Sequence, residues 1–494
     1  MNRVIFLLLC FCAFAGIATA EQPKSLVRVS GLSKADFRAL VAGDYDIAKT
    51  GKEFAELAVS LTELENLKKI GRVEILIPDL DAYIADIQKS RTDLSAYFTY
   101  ETLTAALQEW AVKYSKIARL ASLGKTSEGR DIWAMKVSNA PDVDQKKPAC
   151  LIMGAHHARE WISVEIPMES LKQYLEGYGQ DERITKLVDD HEVWFVPMVN
   201  PDGVTYSQTH TKFWRKNCRQ INASNWGVDP NRNYGYYWGT SGTLDEPMSE
   251  IYPGPASFSE AETQAIKALA DREHFQASLS FHSYSELILY PYSYDYDVPC
   301  EDTPVFAKWS KEMAAVNGYT PENCTDLYAA SGVSDDWLYA THKTLAFTIE
   351  LGKTFIPPMT DIPEIKRLNV PVVLNFIEKS GEYAINSPSG SEEIIANLDL
   401  TSALNALSES DKMLPLFSSE AKCHVMDHMN IAGKRIADII AAEAIAGKSA
   451  SLAKVCANPS FPWLKSMIRS RIIFETVHGK KIDPSILHEF SIPQ

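Results

Sequence analysis

Between about residues 95 and 385, short apolar runs alternate with longer stretches of helical pattern. The apolar runs have the length and composition of buried central strands, and they lie at 149–153, 193–196, 277–281 and 346–349. The helical stretches between them lie at 102–114, 163–174, 259–271 and 303–317. This alternation predicts an α/β domain with a mixed, largely buried sheet flanked by helices, whose reactive residues lie where strands end in loops.

The regions on either side of this stretch differ from it in pattern. Residues 21–91 predict a small α+β unit, with strand-like runs at 26–29 and 73–77 and helix-forming stretches at 53–69 and 79–88. Residues 386–391 are typical of a linker. Residues 392–494 have a mostly helical pattern and no catalytic motif that we recognise. We therefore expect residues 92–385 to form the central domain of a chain with several domains.

The first twenty residues have the pattern of an export signal. Arg3 supplies a positive charge, Val4–Ile17 an apolar stretch and Ala18-Thr19-Ala20 a small-residue cleavage site. A membrane helix needs about 20 apolar residues, and this run is shorter. We expect residues 1–20 to be removed and the mature protein to be soluble, without a membrane span. Its predicted location is the extracellular space, or the periplasm if the source is bacterial.

The net charge bears on the class of binding partner, and the cysteine content bears on the disulfides of the chain. A formal net charge of −15 argues against nucleic acid as the main partner, because phosphate binding favours a basic surface. An even number of cysteines remains after the signal, which permits disulfides in an exported chain but does not fix their pairing. We expect bridges between the pairs closest in sequence, Cys300–Cys324 and Cys423–Cys456. Cys150, in an apolar run, is expected to be a buried free thiol.

Candidate metal ligands follow the first apolar run of the central domain. His157 and Glu160 are three residues apart, close enough for both side chains to reach one point. A catalytic zinc site uses three protein ligands and a water, and His282, at the end of the run 277–281, is the natural third ligand. Because an isolated His-x-x-Glu pair occurs by chance in many proteins, the prediction depends on the surrounding motifs.

An ordered set of motifs accompanies these residues. The motifs are HAREWI (157–162), FWRKN (213–217), VDPNRNY (228–234), SFHSY (280–284), YAASG (328–332) and FTIEL (347–351). In order and approximate spacing the chain resembles the zinc carboxypeptidases of the pancreatic A/B type, also called funnelins, over roughly residues 95–385. Residues 73–88 resemble, less specifically, the end of that family's propeptide.

The resemblance implies a role for each part of the metal centre. His157, Glu160 and His282 would bind one Zn²⁺, and carboxypeptidase A is itself a reference example of such a His₂Glu site. The ion would lower the pKa of a water and polarise the scissile carbonyl. Glu350 would accept the water's proton and pass it to the leaving amine. Arg215 would stabilise the oxyanion that forms.

The resemblance also implies how a peptide or protein substrate with a free C-terminus is recognised. Arg232 suits bidentate binding of the terminal carboxylate, and Asn231 and Tyr328 would add hydrogen bonds. Arg159 would guide the substrate inward. Asp229 would orient a zinc-binding histidine.

The expected preference for particular C-terminal residues depends on Asp335. It aligns with the family position that faces the terminal side chain, where Asp accompanies Lys or Arg and an apolar residue accompanies aliphatic or aromatic termini. An unpaired buried Asp favours a cation, so we expect a preference for Lys and Arg termini. A mixed or A-like specificity remains the alternative if Asp335 is solvated or paired.

The resemblance further implies a proenzyme. Lys89-Ser90-Arg91 is a basic junction suited to a trypsin-like activating protease, with residues 21–91 as the prosegment. Asn225 and Met248 stand where the pancreatic enzymes have a disulfide, so that bridge is absent here. A non-catalytic relative that binds peptide ends would usually have lost a zinc ligand or the base. A metal-stabilised scaffold would usually close its site with four protein ligands.

Overall fold

The computed structural model describes residues 24–386, apart from residues 44, 52, 84–96, 146, 297 and 299. The predicted signal, the cleavage site near Arg91, the linker beyond Asn386, the C-terminal extension and the Cys423–Cys456 pair lie outside the described residues. Among the residues described, no helix is both long and apolar enough to cross a membrane.

The first described residues form a four-stranded antiparallel sheet with two helices. The strands are β1 (Ser25–Ser30), β2 (Asp46–Gly51), β3 (Phe54–Val59) and β4 (Arg72–Ile77), and the helices are α1 (Lys34–Ala42) and α2 (Leu61–Leu67). The order across the sheet is β2-β3-β1-β4. This confirms the small α+β unit and the two strands predicted within it.

The helix expected over residues 53–69 is wrong in its first half. Residues 54–59 form β3, which pairs with β1 on one side and β2 on the other, and Ala55 and Leu57 are fully buried. This pairing overrides the local helix propensity. The helix begins only after Ser60, whose hydroxyl accepts a hydrogen bond from Glu63 N while the Glu63 carboxylate accepts one from Ser60 N.

The central domain contains a mixed sheet of eight strands. The strands are β5 (Ala118–Lys125), β6 (Asp131–Val137), β7 (Ala149–Gly154), β8 (Glu192–Val196), β9 (Ala277–His282), β10 (Leu287–Tyr290), β11 (Thr320–Asn323) and β12 (Leu345–Glu350). Their order is β11-β10-β12-β9-β7-β8-β6-β5. The four predicted strands are the parallel centre, β12-β9-β7-β8, while β10 and β6 join this centre antiparallel.

Helices cover both faces of this sheet. They are α3 (Tyr100–Lys113), α4 (Ile162–Gly177), α5 (Glu182–Asp190), α6 (Pro201–Thr209), α7 (Ala261–Glu273), α8 (Thr303–Asn317), α9 (Cys324–Leu327), α10 (Ser334–His342) and α11 (Ile362–Asn386). Alternate residues of β7 enter two apolar clusters: Cys150 and Ile152 join the one containing α4, α8 and α11, and Leu151 and Met153 join the one containing α7. The predicted fold, a mixed and largely buried sheet flanked by helices, is confirmed.

The sheet brings three chain segments to one edge. Strands β7, β9 and β12 are parallel neighbours, so their carboxyl ends lie together. His282 is the last residue of β9 and Glu350 the last of β12, and the two are direct register partners. His157 follows three residues after Gly154, the end of β7. The fold therefore gathers the candidate residues at this edge.

The cysteines differ from expectation in one pair. Cys300 and Cys324 are free thiols, so the predicted bridge between them is wrong. Proximity in sequence does not bring them together, because Cys300 packs in the cluster of α8 and Phe306 while Cys324 packs with Leu287 and Leu289. The expected buried free thiol at Cys150 is confirmed.

Candidate active site

His157, Glu160 and His282 converge at the edge of the sheet. One potential ligand atom from each lies within 4.8 Å of the others. The Nδ1 atoms of the two histidines are 3.1 Å apart, and the Glu160 oxygens lie 2.8 Å from His157 Nδ1 and 3.0 Å from His282 Nδ1. All three side chains are buried. Two imidazole nitrogens and a carboxylate directed at one point form a donor set that suits a divalent cation.

The backbone before His157 makes this convergence possible. A Cβ at Gly154 would collide with the carbonyl of Ser163, so only glycine allows the strand end to approach α4 this closely. Ser163 Oγ also accepts a hydrogen bond from Ala155 N at 3.0 Å. The turn after β7 is thus held against the start of α4, which positions the side chains of His157 and Glu160.

Each histidine is oriented through its second ring nitrogen. His157 Nε2 lies 3.2 Å from Asp229 Oδ1, and His282 Nε2 lies 3.1 Å from Ser280 Oγ. These contacts turn both Nδ1 atoms toward Glu160. Partners of this kind fix the ring orientation and basicity of metal-binding histidines.

The charges around the three residues favour a bound cation. Burial would raise the pKa of Glu160, but the neighbouring His157 and His282 outweigh it and hold the pKa well below its usual range. Burial, with Arg215 nearby, lowers the pKa of His157. Burial also opposes the charging of His282, yet the Glu160 carboxylate raises its pKa. An ionised acid and a neutral His157 are the states that metal binding needs, whereas a proton on His282 would have to leave.

Arg215 is held beside the centre by Asp229. Its Nε donates to Asp229 Oδ2 at 2.9 Å, and Nη2 also lies 2.9 Å from that oxygen. Burial would raise the pKa of Asp229, but Arg215 and His157 together keep it well below the ordinary value. The same carboxylate therefore orients His157 through one oxygen and Arg215 through the other.

Glu350 lies next to this centre without joining its hydrogen bonds. It lines a cavity of about 50 Å³ together with His157, His282 and Asp335. Burial raises the pKa of Glu350 to about 8, with Glu160 adding to the effect of burial and His282 opposing it. A carboxyl group in such surroundings is suited to accepting and returning a proton near neutral pH.

Asn231, Arg232 and Tyr328 line the same cavity. Asn231 and Arg232 belong to a single 3₁₀ turn, Pro230–Arg232, that Asp229 caps by accepting a hydrogen bond from Asn231 N. The Arg232 guanidinium donates to Gly242 O at 2.9 Å and lies 5.9 Å from the centroid of the Tyr328 ring. This arrangement presents an arginine and a phenol to the cavity.

Asp335, at the start of α10, faces the same cavity from another side. Its carboxylate accepts hydrogen bonds from Thr348 Oγ1 at 2.7 Å and from Ser334 Oγ at 3.3 Å. Burial raises its pKa. No lysine or arginine among the described residues forms a salt bridge with it. A buried carboxylate with only neutral hydrogen-bond partners leaves room for a cation from outside.

Arg159 contacts the N-terminal unit instead of the cavity. Its guanidinium is fully buried and binds both carboxylate oxygens of Asp46, in β2, with Nη2 to Oδ1 at 2.6 Å and a second contact from Nη1 to Oδ2. The centroid of the Phe355 ring lies 4.0 Å from the guanidinium carbon. Sequence reasoning missed Asp46, because nothing in its surrounding residues marks it as the partner of an arginine 113 positions away.

The fold and the donor set together define a metal-dependent hydrolase of the α/β type with an arginine-lined pocket. Comparison with known families agrees with this class. The family described as "Zinc carboxypeptidase" matches residues 103–371. The chain belongs to this family and is a zinc metallocarboxypeptidase that uses one Zn²⁺.

Individual relatives each cover more than half of the chain. Carboxypeptidase B from Rattus norvegicus is 33% identical over 357 residues, which cover 67% of this chain and 84% of the relative. A zinc carboxypeptidase from Saccharothrix mutabilis subsp. capreolus is 33% identical over 298 residues, covering 58% of this chain and 67% of the relative. The crystal structure of carboxypeptidase A from Helicoverpa armigera, 20% identical, has a TM-score of 0.66 and covers 75% of this chain and 99% of that one. The last comparison supports the fold.

Proposed function

We propose that this metallocarboxypeptidase is exported as a proenzyme and, once activated, removes single Lys or Arg residues from the C-terminus of peptides. The observation that carries the proposal is the meeting of His157, Glu160 and His282 at one point, with Glu350 beside them. The three donors fit Zn²⁺, and the second nitrogen of each histidine has an oxygen partner of its own. Zinc bound there supplies Lewis acidity and lowers the pKa of water.

The surrounding side chains would perform the remaining steps. Glu350, with its raised pKa, would remove a proton from the attacking water and deliver it to the amine of the released residue. Arg215, fixed by Asp229, would donate hydrogen bonds to the oxyanion formed from the scissile carbonyl. Arg232, with Asn231 and Tyr328 beside it, would bind the terminal carboxylate and so restrict cleavage to chain ends.

Asp335 would select the terminal side chain. It lines the same cavity as Glu350 and Arg232, so a residue whose carboxylate binds Arg232 can direct its side chain toward Asp335. Two neutral donors satisfy part of the Asp335 carboxylate, and a lysine or arginine of the substrate would supply the missing positive charge. An apolar terminal residue would leave that carboxylate buried and uncompensated.

The N-terminal unit would inhibit the enzyme before activation. It holds Arg159 through Asp46, and Tyr284 donates from its hydroxyl to Glu56 Oε2 at 2.8 Å. Thr50 Oγ1 donates to the carbonyl of Leu327, next to Tyr328, at 2.8 Å. Asp46 also lines a small cavity with Arg215 and Arg232. These contacts lie over the residues that would bind the substrate, and cleavage near Arg91 would release them.

Release of terminal residues before and after limited trypsin treatment tests the proposal. We expect the zinc-loaded chain to be nearly inactive before treatment and afterwards to release Arg from a blocked peptide much faster than Phe from a matched peptide. The Asp335→Leu variant should reverse this preference. A large preference of the wild-type enzyme for Phe would contradict the role of Asp335, and full activity before trypsin treatment would contradict the proenzyme.

The Glu350→Gln variant tests the role of the base. Loss of a general base costs about 10²- to 10⁴-fold in kcat, and we expect this loss with an unchanged zinc content. A peptide whose C-terminus is an amide is the matched substrate control, because it lacks the carboxylate that Arg232 would bind. Cleavage of that peptide at an undiminished rate would argue against exopeptidase action.

A further inference from the structure

A second cavity, which the proposed mechanism does not use, has in its wall Trp214, the residue directly before Arg215. Its volume is about 480 Å³, within the range typical of small-ligand sites. It is lined by aromatic rings and by charged side chains of both signs, among them Trp214, Trp226, Glu128, Glu250 and Lys216. The aromatic faces and the carboxylates favour a cationic group, while the ammonium of Lys216 donates to the carbonyl of Pro247 at 2.8 Å. Trp226 is 44% exposed, so the cavity is open to molecules from solution.

Glu250 is paired with a lysine of the N-terminal unit. Lys24 Nζ lies 2.8 Å from Glu250 Oε1, and the two side chains are only 20% and 18% exposed. The other oxygen, Oε2, is buried and has no hydrogen-bond partner among the residues described. The carboxylate therefore receives only part of its stabilisation from Lys24, and it would lose that part with removal of the N-terminal unit.

The ion pair between Lys24 and Glu250 is linked to Arg159 through Asp46. Lys24 Nζ lies 4.0 Å from Asp46 Oδ2, and Asp46 in turn binds Arg159. Removal of the N-terminal unit would thus take the counterion from Arg159 and the counterion from Glu250 together. Arg159 would then be an unpaired cation, and Glu250 would be an unpaired anion in the wall of this cavity.

We propose that Glu250 recognises a basic side chain of the substrate on the N-terminal side of the scissile bond, and that Lys24 occupies its position in the uncleaved chain. The inference rests on the proposed function, because it requires that the N-terminal unit leaves and that a peptide enters. The ammonium or guanidinium group of the substrate would bind Glu250 Oε1 where Lys24 Nζ now lies, with Oε2 available as a second acceptor. The aromatic walls would contact its alkyl chain.

Matched peptides can measure this recognition directly. The substrates are acetylated tetrapeptides with two alanines and one variable residue before the terminal residue, and the variable residue is Lys or norleucine at each of the three positions. Sets ending in Arg and in Phe make the result independent of the terminal preference. The enzyme is the full-length zinc-loaded chain after limited trypsin treatment, with the trypsin then inhibited.

At one of the three positions, kcat/KM should be about tenfold higher for Lys than for norleucine, the size of one hydrogen bond to a charged group. In Glu250→Gln this ratio should fall to about one. Glu246→Gln is the control, since it removes a charge from an exposed side chain nearby, and it should retain the ratio. A ratio near one at every position in the wild-type enzyme, as expected if Arg159 and Glu250 bind each other after activation, would overturn the inference. A ratio that survives in Glu250→Gln would also overturn it.

Binding to the trimmed Glu350→Gln variant separates the inference from the proposed function. Trp214 and Trp226 line the cavity, so tryptophan fluorescence reports peptide binding without catalysis. The dissociation constants of the Lys and norleucine peptides should differ by the same factor of about ten, and the difference should disappear when Glu250→Gln is added. If the wild-type enzyme released no terminal residue, the proposed function would fail, while the binding ratio would still decide the role of Glu250.

Discussion

Replacing Asp46 with Asn should free the active site from the N-terminal unit without cleavage of the chain. Asp46 is 7% exposed and Arg159 is fully buried, so their ion pair is shielded from solvent. Asn keeps the size of the side chain but removes its charge, which leaves the Arg159 guanidinium buried without this counterion. Breaking one partner of a buried ion pair costs about 3–5 kcal/mol. Detachment exposes Arg159 to water, so this cost falls on the closed arrangement alone.

A cost of this size converts to an increase of between about a hundredfold and several thousandfold in the population with an open site. The assay is release of C-terminal Arg from a blocked peptide by the uncleaved, zinc-loaded chain, with the same protein after trypsin treatment as the upper limit. Glu53→Gln, which removes an exposed charge from the same unit, is the matched control and should remain inactive before cleavage. After cleavage all three proteins should have equal activity. If uncleaved Asp46→Asn stayed as inactive as the wild type and became fully active on cleavage, the ion pair would not hold the unit closed.

The pKa of Asp46 gives this contact a defined pH dependence. Burial would raise the pKa, but the charges of Arg159 and Lys24 outweigh it and lower it below the ordinary value. A depressed carboxyl pKa contributes stability that is present above the ordinary value of about 4 and is lost as the pH falls through the lowered value. The wild-type chain should therefore remain closed at pH 5, and opening before trypsin treatment at that pH would contradict this assignment.

Three further predictions concern the metal centre and the core. Asp229→Asn should weaken zinc binding about 10- to 100-fold, because His157 Nε2 loses an anionic partner. Competition with a chelator measures the affinity for zinc, and the control Asp271→Asn, which changes an exposed acid, should leave this affinity unchanged. The affinity of the wild-type protein for zinc should fall about tenfold per pH unit below the raised pKa of His282, since one proton must then leave for each ion bound; a flat pH profile would exclude this competition. Trp309→Ala should lower the free energy of unfolding by about 3–5 kcal/mol, because this buried ring stacks on Phe376 at 4.5 Å, and a loss below 1 kcal/mol in denaturant titration would contradict it.

The central strands could be predicted from the sequence because both of their faces are buried. Residues 149–153 are a continuous apolar run, and residues 277–281 are apolar apart from two small serines, so both segments are typical of a central parallel strand. The strands toward the edges of the sheet have no such apolar pattern in the sequence. β11, for example, is the short segment Thr-Pro-Glu-Asn, whose strand character comes from pairing with β10. Pairing with a neighbour is a tertiary property, and the local composition of an edge strand does not encode it.

Some residues of the candidate site could be predicted from the sequence, and others could not. His282 could be anticipated because it stands at the end of a predicted strand, and Glu350 because the motif FTIEL resembles one of the family's motifs. The fold makes the strands of these two residues neighbours. The contact between Arg159 and Asp46 could not be anticipated, since it joins two units separated by 113 residues. Ser280 Oγ lies 3.1 Å from His282 Nε2. This contact could not be predicted, because a serine within a strand pattern is interpreted as a small buried residue. The resemblance to family motifs indicated the groups that carry chemistry, whereas the groups that hold them in position depend on the assembled fold.

Under the proposed function, the distribution of counterions around the site would let the N-terminal unit cover the site and would also influence which substrates bind after its removal. Arg215 has its partner within the central domain, in Asp229, and keeps it when the unit leaves. Arg159 and Glu250 draw theirs from Asp46 and Lys24 of the unit itself. Removal of the unit would expose both groups to water without these counterions, so an activated enzyme would retain two charged groups that can pair with a peptide. We therefore expect substrates with a basic residue upstream of the scissile bond to compete most strongly with the uncleaved N-terminal unit.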